Sequence, residues 1–235
     1  RGRQPTDFKD QHHQLIYPPQ QTSRSLAGVL LTHAHIGHYT GLMHLGREAM
    51  GAQSVPVYAM PRLVHYLQNN GPWSQLVDLQ NIQLKTLQAN HPVQLNEHLQ
   101  FTPILVPHRD EFSETVGFLL EGQRKRALFI PDIDKWQLWD HDIRTYIQQV
   151  DYAFLDGTFF ENGEIPGRDI SEIPHPFIEE SLQLLADLPA SERAKVHFIH
   201  FNHTNPILQP NSTAKAKVLS QGFRIAEEVT RFLLD

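Results

Sequence analysis

The chain has 235 residues, which suits one domain with a sizeable core. Its formal charge of −6 argues against a protein that binds nucleic acid by bulk electrostatics, and no apolar run approaches the roughly 20 residues of a membrane span. The absence of cysteine excludes disulfides and thiolate metal ligands. We therefore predict a single domain over residues 1–235. No signal peptide is visible, but the chain begins at Arg1, so we leave both a cytoplasmic and an exported location open.

The first half of the chain alternates strands and helices. Residues 1–24 are polar and glutamine-rich and predict an irregular segment. A proline at position 61 suits the first residue of a helix, and Asn70-Gly71-Pro72 should end it. The predicted elements are strand 25–32, helix 40–50, strand 55–59, helix 61–69, and strands 82–87, 93–95 and 99–106.

The second half contains a hairpin around the basic turn Arg124-Lys125-Arg126. Strands dominate the middle of the chain, and helices interleave near both ends. This pattern predicts an α/β protein in which two sheets pack together with helices outside. The remaining predicted elements are strands 115–120 and 127–130, helix 136–150, strand 152–155, helix 176–188, strand 195–199 and helix 212–222.

Three histidines follow the first predicted strand. They stand as His33-Ala34-His35-Ile36-Gly37-His38. In an extended backbone His33 and His35 point to the same side, and His38 returns from the loop. Imidazole is a common ligand of zinc and iron, so the spacing predicts a metal site. The alternative is a histidine-rich surface loop or a set of helix-capping residues.

Further metal-binding residue types stand at the ends of later strands: His108, Asp132 and His200. The order of these residues resembles that of the metallo-β-lactamase superfamily, whose signature is H-x-H-x-D-H. The blocks VPHRDEFSETVGF, FIPDIDKW, DYAFLDGTFF and FIHFNHTNP are most similar to pyrroloquinoline quinone biosynthesis B proteins. The resemblance implies an αββα sandwich. Such proteins open with a glycine-rich strand pair that this sequence lacks, so the fold is expected without its first strands.

The resemblance also implies one or two divalent metal ions, most simply zinc, with iron or manganese as alternatives. Asp132 would bridge two sites. Gly37 stands where the motif has aspartate, so the second site should be weaker. The implied ligands are His33, His35 and His108 for the first metal, and His38 and His200 for the second.

Three residues could supply the ligand that Gly37 lacks: Asp134, Asp156 or His203. Alternatively, water could fill the position, or only one metal binds tightly. For Asp134 we favour the N-cap of the helix expected near Lys135. Asp156, at a strand end, is expected to orient a ligand histidine.

Two histidines are candidates for a catalytic proton donor. His175 precedes a predicted helix, at about the place of the general acid in related phosphodiesterases. Alternatively, His175 is a helix-capping surface histidine. His203 is the other candidate for the donor. Arg109 or Arg168 could hold an anionic group, and Trp73 could line a substrate mouth.

We therefore expect a metal-dependent hydrolase with a small-molecule substrate (an ester, lactone, amide or phosphodiester), in which Asp132, His175 and His203 are the candidate catalytic residues. A non-haem iron oxygenase is the second possibility, because His38, Asp132 and His200 form a two-histidine, one-carboxylate set. A metal-binding member without catalysis is the third.

Overall fold

The computed structural model describes residues 26–165, 167, 169–170 and 173–235. The predicted irregular segment 1–24 and the candidate Arg168 lie outside these residues. Strands and helices below are those of the described part of the chain.

A small sheet of three parallel strands holds the first histidines. Its order is β1-β2-β3, and Leu31 continues the pairing by donating to the carbonyl of Tyr58. The strands are β1 (Val29–Leu30), β2 (Val55–Ala59) and β3 (Ile82–Thr86).

A larger sheet of seven strands carries most of the remaining candidate residues. Its order is β10-β9-β8-β7-β6-β5-β4, with parallel pairing from β10 to β7 and antiparallel pairing from β7 to β4. The strands are β4 (Val93–Asn96), β5 (Leu99–Leu105), β6 (Val116–Glu121), β7 (Arg126–Ile130), β8 (Tyr152–Asp156), β9 (Val196–Ile199) and β10 (Arg224–Ile225).

Apolar side chains on the helices explain the layers. One buried cluster joins the small sheet to the helices within residues 36–78, and another joins the large sheet to helices within residues 143–220. A third cluster, around Phe101 and Phe118, lies between the sheets. This arrangement is the predicted αββα sandwich. The α-helices are α1 (Ile36–Tyr39), α2 (Pro61–Asn69), α3 (Trp73–Asp78), α4 (Ile143–Gln149), α5 (Ile178–Leu184), α6 (Ala190–Arg193) and α7 (Thr213–Ser220).

Several predicted elements differ from the structure. Strand 25–32 is reduced to Val29–Leu30, and the helix Trp73–Asp78 was not predicted. Helix 40–50 is wrong: α1 is followed by a 3₁₀ helix, Thr40–Leu45, and the chain is extended at Gly46, which packs against Leu76.

Helix 136–150 is also wrong as a single element. A 3₁₀ turn, Trp136–Leu138, is separated from α4 by a loop in which the Asp142 carboxylate caps α4 by accepting from the Arg144 amide. The basic turn does connect β6 and β7, as predicted, and Lys125 there donates to the Tyr152 hydroxyl. None of the described helices combines the length and apolar character that crossing a bilayer requires.

Candidate metal centre

The directions of four strands bring their following residues to one edge of the large sheet. Strands β7, β8 and β9 are parallel, and β5 points the same way because two antiparallel pairings separate it from β7. Carboxyl ends of strands that run in the same direction meet at the same edge. His108, Asp132, Asp156 and His200 stand at or just beyond those ends.

The backbone of His200 is unusual. Its φ of 63° lies in the left-handed region, which few residues other than glycine adopt. Such a conformation costs of order 1–3 kcal/mol and persists where the surroundings impose it, often at functional sites. Here it turns the chain immediately after β9, where the ring faces His38.

The histidine loop of the small sheet is attached to the large sheet through its backbone. The Val116 amide donates to the Thr32 carbonyl at 3.1 Å, and the Ala34 amide donates to the Ser113 hydroxyl at 2.8 Å. These bonds hold His33 and His35 against the start of β6 and the loop before it.

The first ligand group consists of His33, His35, His108 and Asp132, whose candidate ligand atoms all lie within 4.8 Å of one another. His33 Nε2 lies 2.9 Å from His35 Nδ1 and 3.3 Å from Asp132 Oδ2. His108 Nε2 lies 3.5 Å from Asp132 Oδ1. The structure thus brings together all the residues predicted for the first metal.

The second ligand group shares Asp132 with the first. His38 Nε2 lies 3.1 Å from Asp132 Oδ2 and 3.1 Å from His200 Nε2, and His200 Nε2 lies 4.0 Å from Asp132 Oδ2. In the part of the chain that the structure describes, this group has three candidate protein ligands, because Gly37 has no side chain. Gly37 borders a cavity of about 430 Å³ together with His38 and His200.

The residues proposed to fill the gap are held elsewhere. Asp134 accepts from His108, and Asp156 accepts from the Ile133 amide, Thr158 and His175. His203 is exposed.

The site fits a divalent metal. The spacings of 2.9–3.5 Å within the first group are close to the roughly 3.3 Å between neighbouring ligands of a tetrahedral ion with bonds of about 2.0–2.1 Å. Among the described residues, His108 Nε2 and Asp132 Oδ1 are buried without a hydrogen-bond partner. His175 Nδ1 lies 3.0 Å from Asp132 Oδ1, but its hydrogen is directed to Asp156 Oδ2 at 2.8 Å. Buried polar atoms without partners are rare, and both of these face the place where a cation would bind.

Three of the inward-facing nitrogens are matched by a partner on the other side of the ring. His33 Nδ1 contacts the Thr32 hydroxyl at 3.0 Å, and His108 Nδ1 contacts Asp134 at 2.9 Å. His200 Nδ1 contacts the Thr158 hydroxyl at 2.9 Å, which in turn donates to Asp156 at 2.7 Å. Acceptors on the outer nitrogens place the ring protons there and leave the inner nitrogens as ligands.

Burial and charge set the protonation of the centre. Burial lowers the pKa of His33 to about 4 and also lowers the pKa values of His108 and His200, so these rings are neutral and able to bind metal. Burial opposes ionisation of Asp132, but the close approach of His175, His33 and His38 outweighs it and holds the pKa of Asp132 far below the ordinary range.

His175 is not the surface histidine of the alternative interpretation. It is buried beside Asp132 and Asp156. Burial alone would lower its pKa, but the two carboxylates raise it to about 10. The loop position gave no signal of this burial.

Other predictions fare unevenly. The N-cap role for Asp134 is wrong, because the following 3₁₀ turn has no side-chain cap and the carboxylate binds His108. Asp156 reaches His200 through Thr158, in keeping with an orienting role. Arg109 is exposed, and Trp73 packs edge-on against Tyr39. Two residues that contact the ligand rings were not predicted: Thr158, beside His200, and Glu111, whose carboxylate lies 3.1 Å from His35 Nε2.

The fold and the histidine–aspartate centre define a metallo-β-lactamase type of protein. The family model described as "Beta-lactamase superfamily domain" matches residues 5–201, and the chain belongs to that superfamily.

Within the superfamily the chain is similar to the coenzyme PQQ synthesis protein B. The Xanthomonas campestris pv. campestris protein is 26% identical over 222 residues, covering 86% of this chain and 71% of the relative. The crystal structure of Zn(2+)-bound PqqB from Methylobacterium extorquens has a TM-score of 0.68 at 23% identity, over 85% of this chain and 70% of that one. Igni18, a metallo hydrolase from Ignicoccus hospitalis, has a TM-score of 0.54 at 15% identity, over 84% of this chain and 74% of that one.

Proposed function

We propose that this protein is a metal-dependent hydrolase that acts on an ester, lactone, amide or phosphodiester beside Asp132. The observation that carries the proposal is the meeting of five histidines on one buried carboxylate, with His108 Nε2 and Asp132 Oδ1 lacking hydrogen-bond partners among the described residues. A bound divalent metal lowers the pKa of a ligating water to about 7 and polarises the substrate oxygen.

The residues of the two groups have different parts. His33, His35 and His108 would hold the first metal, and His38 and His200 the second, with Asp132 common to both. The first group has four protein ligands and the second has three, which favours the first as the tighter site.

His175 is the better placed of the two candidate proton donors. It lies 3.0 Å from Asp132 Oδ1, whereas His203 is exposed. The two carboxylates keep its ring protonated, which is the form that a general acid needs. A pKa of about 10 is high for this role at neutral pH. A cation bound to Asp132 would weaken one of the two interactions that raise the pKa of His175. It would therefore lower that pKa towards neutral pH.

The test uses zinc-loaded protein and paired substrates. The substrates are an ester and a phosphodiester, each with a nitrophenyl and a phenyl leaving group, together with a lactone and a cyclic amide. The turnover of each substrate by zinc-loaded protein would be compared with its turnover by metal-free protein. His175→Ala should keep its metal and lose about 10²- to 10⁴-fold in turnover on the phenyl substrates, which need a proton for the leaving oxygen. The loss should shrink on nitrophenyl substrates, and His203→Ala should stay near the parent.

Two outcomes count against the proposal. If zinc-loaded protein turns over every substrate no faster than metal-free protein does, hydrolysis of these substrate classes is excluded. Full turnover of the phenyl substrates by both alanine variants would show that neither histidine is the acid.

A second candidate is an iron-dependent oxygenase. It is favoured by the second ligand group, since His38, Asp132 and His200 are the two-histidine, one-carboxylate set of non-haem iron oxygenases. Anaerobic loading with Fe²⁺ followed by measurement of oxygen uptake separates the candidates. Oxygen uptake that depends on His38, without hydrolysis, would favour the oxygenase. Binding of metal with neither activity would leave a metal-binding protein.

A further inference from the structure

The outer nitrogen of His35 meets a carboxylate from another part of the chain. His35 Nε2 lies 3.1 Å from Glu111 Oε2, and the inner nitrogen, Nδ1, lies 2.9 Å from His33 Nε2. His35 thus differs from the neighbouring ligands: it presents Nδ1 to the centre, whereas His33 and His108 present Nε2. A histidine that uses Nδ1 needs an acceptor on the opposite side of the ring to place the proton on Nε2.

The loop that carries Glu111 is fixed by other residues. The Arg62 guanidinium donates to the carbonyl of Asp110 at 2.7 Å and to that of Glu111 at 3.4 Å. The Arg62 amide donates to the Glu114 carboxylate at 3.1 Å, and Ser113 accepts from the Ala34 amide of the histidine loop. These bonds use the backbone of Glu111 or other residues, so its side chain is left to contact His35.

We propose that Glu111 is a positioning residue for the metal centre: its carboxylate holds the proton of His35 on Nε2 and thereby directs the Nδ1 lone pair to the metal. The proposal rests on the metal centre of the proposed function but not on hydrolysis. The contact also increases the basicity of the ring, because a carboxylate partner stabilises the positive charge that a bound metal induces.

The chain offers a matched control for charge. Asp110 precedes Glu111 on the same loop and carries the same charge, but its carboxylate pairs with Arg62 at 3.2 Å. Both acidic side chains are at least half exposed, so replacing either leaves the apolar core intact.

The test measures zinc affinity by chelator competition for the parent, Glu111→Ala, Glu111→Gln and Asp110→Asn. Glu111→Ala should raise the Kd of the tighter zinc about 10- to 100-fold, the usual effect of removing a hydrogen-bond partner of a metal ligand. Glu111→Gln keeps an acceptor oxygen and should lose less. Asp110→Asn should stay within about twofold, and the melting temperatures of the metal-free proteins should agree.

A second measurement follows the ring itself. Long-range ¹H–¹⁵N spectra of zinc-loaded protein, assigned with a His35→Gln variant, should show His35 bound through Nδ1 and protonated on Nε2 in the parent, and a changed His35 pattern in Glu111→Ala. An unchanged Kd in Glu111→Ala, an equal loss in Asp110→Asn, or an Nε2-bound His35 in the parent would overturn the proposal. Loss of affinity without any hydrolytic activity would leave it standing and remove only the proposed reaction.

Discussion

Replacing Gly37 with aspartate should turn the weaker metal site into a tight one. Gly37 lies in α1 beside His38, and a Cβ added there would meet no atom within 4 Å. The Cβ of an aspartate therefore fits at this position without a clash. The substitution raises the number of protein ligands in the second group from three to four, equal to the first group.

The expected gain in metal affinity can be bounded from the effect of residues that only hydrogen-bond to a ligand. Removing a hydrogen-bond partner of a metal ligand typically changes affinity about 10- to 100-fold. A direct ligand should exceed that range, so we expect at least about 100-fold tighter binding of the second metal, or about 2.7 kcal/mol. Gly37→Asp should therefore retain close to two zinc ions after dialysis, where the parent retains close to one.

The control is Gly41→Asp. Gly41 is exposed and has no atom within 4 Å of an added Cβ, so this variant gains the same charge four residues further along the chain. Metal content would be measured by plasma mass spectrometry and the affinities by titration with a competing chelator. Two tightly bound zinc ions in the parent would refute the reasoning, as would equal gains in Gly37→Asp and Gly41→Asp.

Three further predictions concern orientation, pH and metal removal. Thr158→Val deletes the hydroxyl that contacts His200, so it should weaken the second metal about 10- to 100-fold in chelator competition while the tighter metal is retained. Burial lowers the pKa of His197, so the folded protein should be most stable above the unfolded pKa of about 6.5 and should lose stability as the pH falls through that value. In urea unfolding of the metal-free protein, the free energy of unfolding should therefore fall less between pH 7.5 and 5 for His197→Phe than for the parent. Zinc at 100 times its Kd should add about 2.7 kcal/mol of stability, or roughly 5–10 °C in Tm, and a chelator should reverse this.

The ligand residues could be predicted because each belongs to a local pattern. A histidine or aspartate directly after an apolar strand indicates a side chain at a sheet edge, and this pattern located His108, Asp132 and His200. The H-x-H spacing did the same for His33 and His35. Strand direction, which the sequence does not encode locally, then placed these ends at one edge.

The partners of the ligands could not be predicted in this way. Glu111 is 76 residues from His35, and Thr158 is 42 residues from His200. Nothing in the local sequence distinguishes these side chains from surface residues. Asp134 shows the difficulty: its place before a predicted helix favoured a cap, whereas the packing of its loop directs it to His108.

The helix errors have a local cause that the pattern of apolar residues hid. In residues 136–150 the apolar spacing continues through Asp140-His141-Asp142, but Asp142 is the capping residue of a new helix. In residues 40–50 the extended backbone at Gly46 ends the helical turn after Leu45. In both cases a polar or glycine residue outweighs the periodicity.

The central claim is that a metal binds around Asp132, and anomalous diffraction at the zinc edge from zinc-loaded crystals tests it most directly. We expect one strong peak among His33, His35, His108 and Asp132, and a weaker or absent peak beside His38 and His200. A crystal with zinc at neither place, or with its strongest peak elsewhere on the protein, would contradict the account.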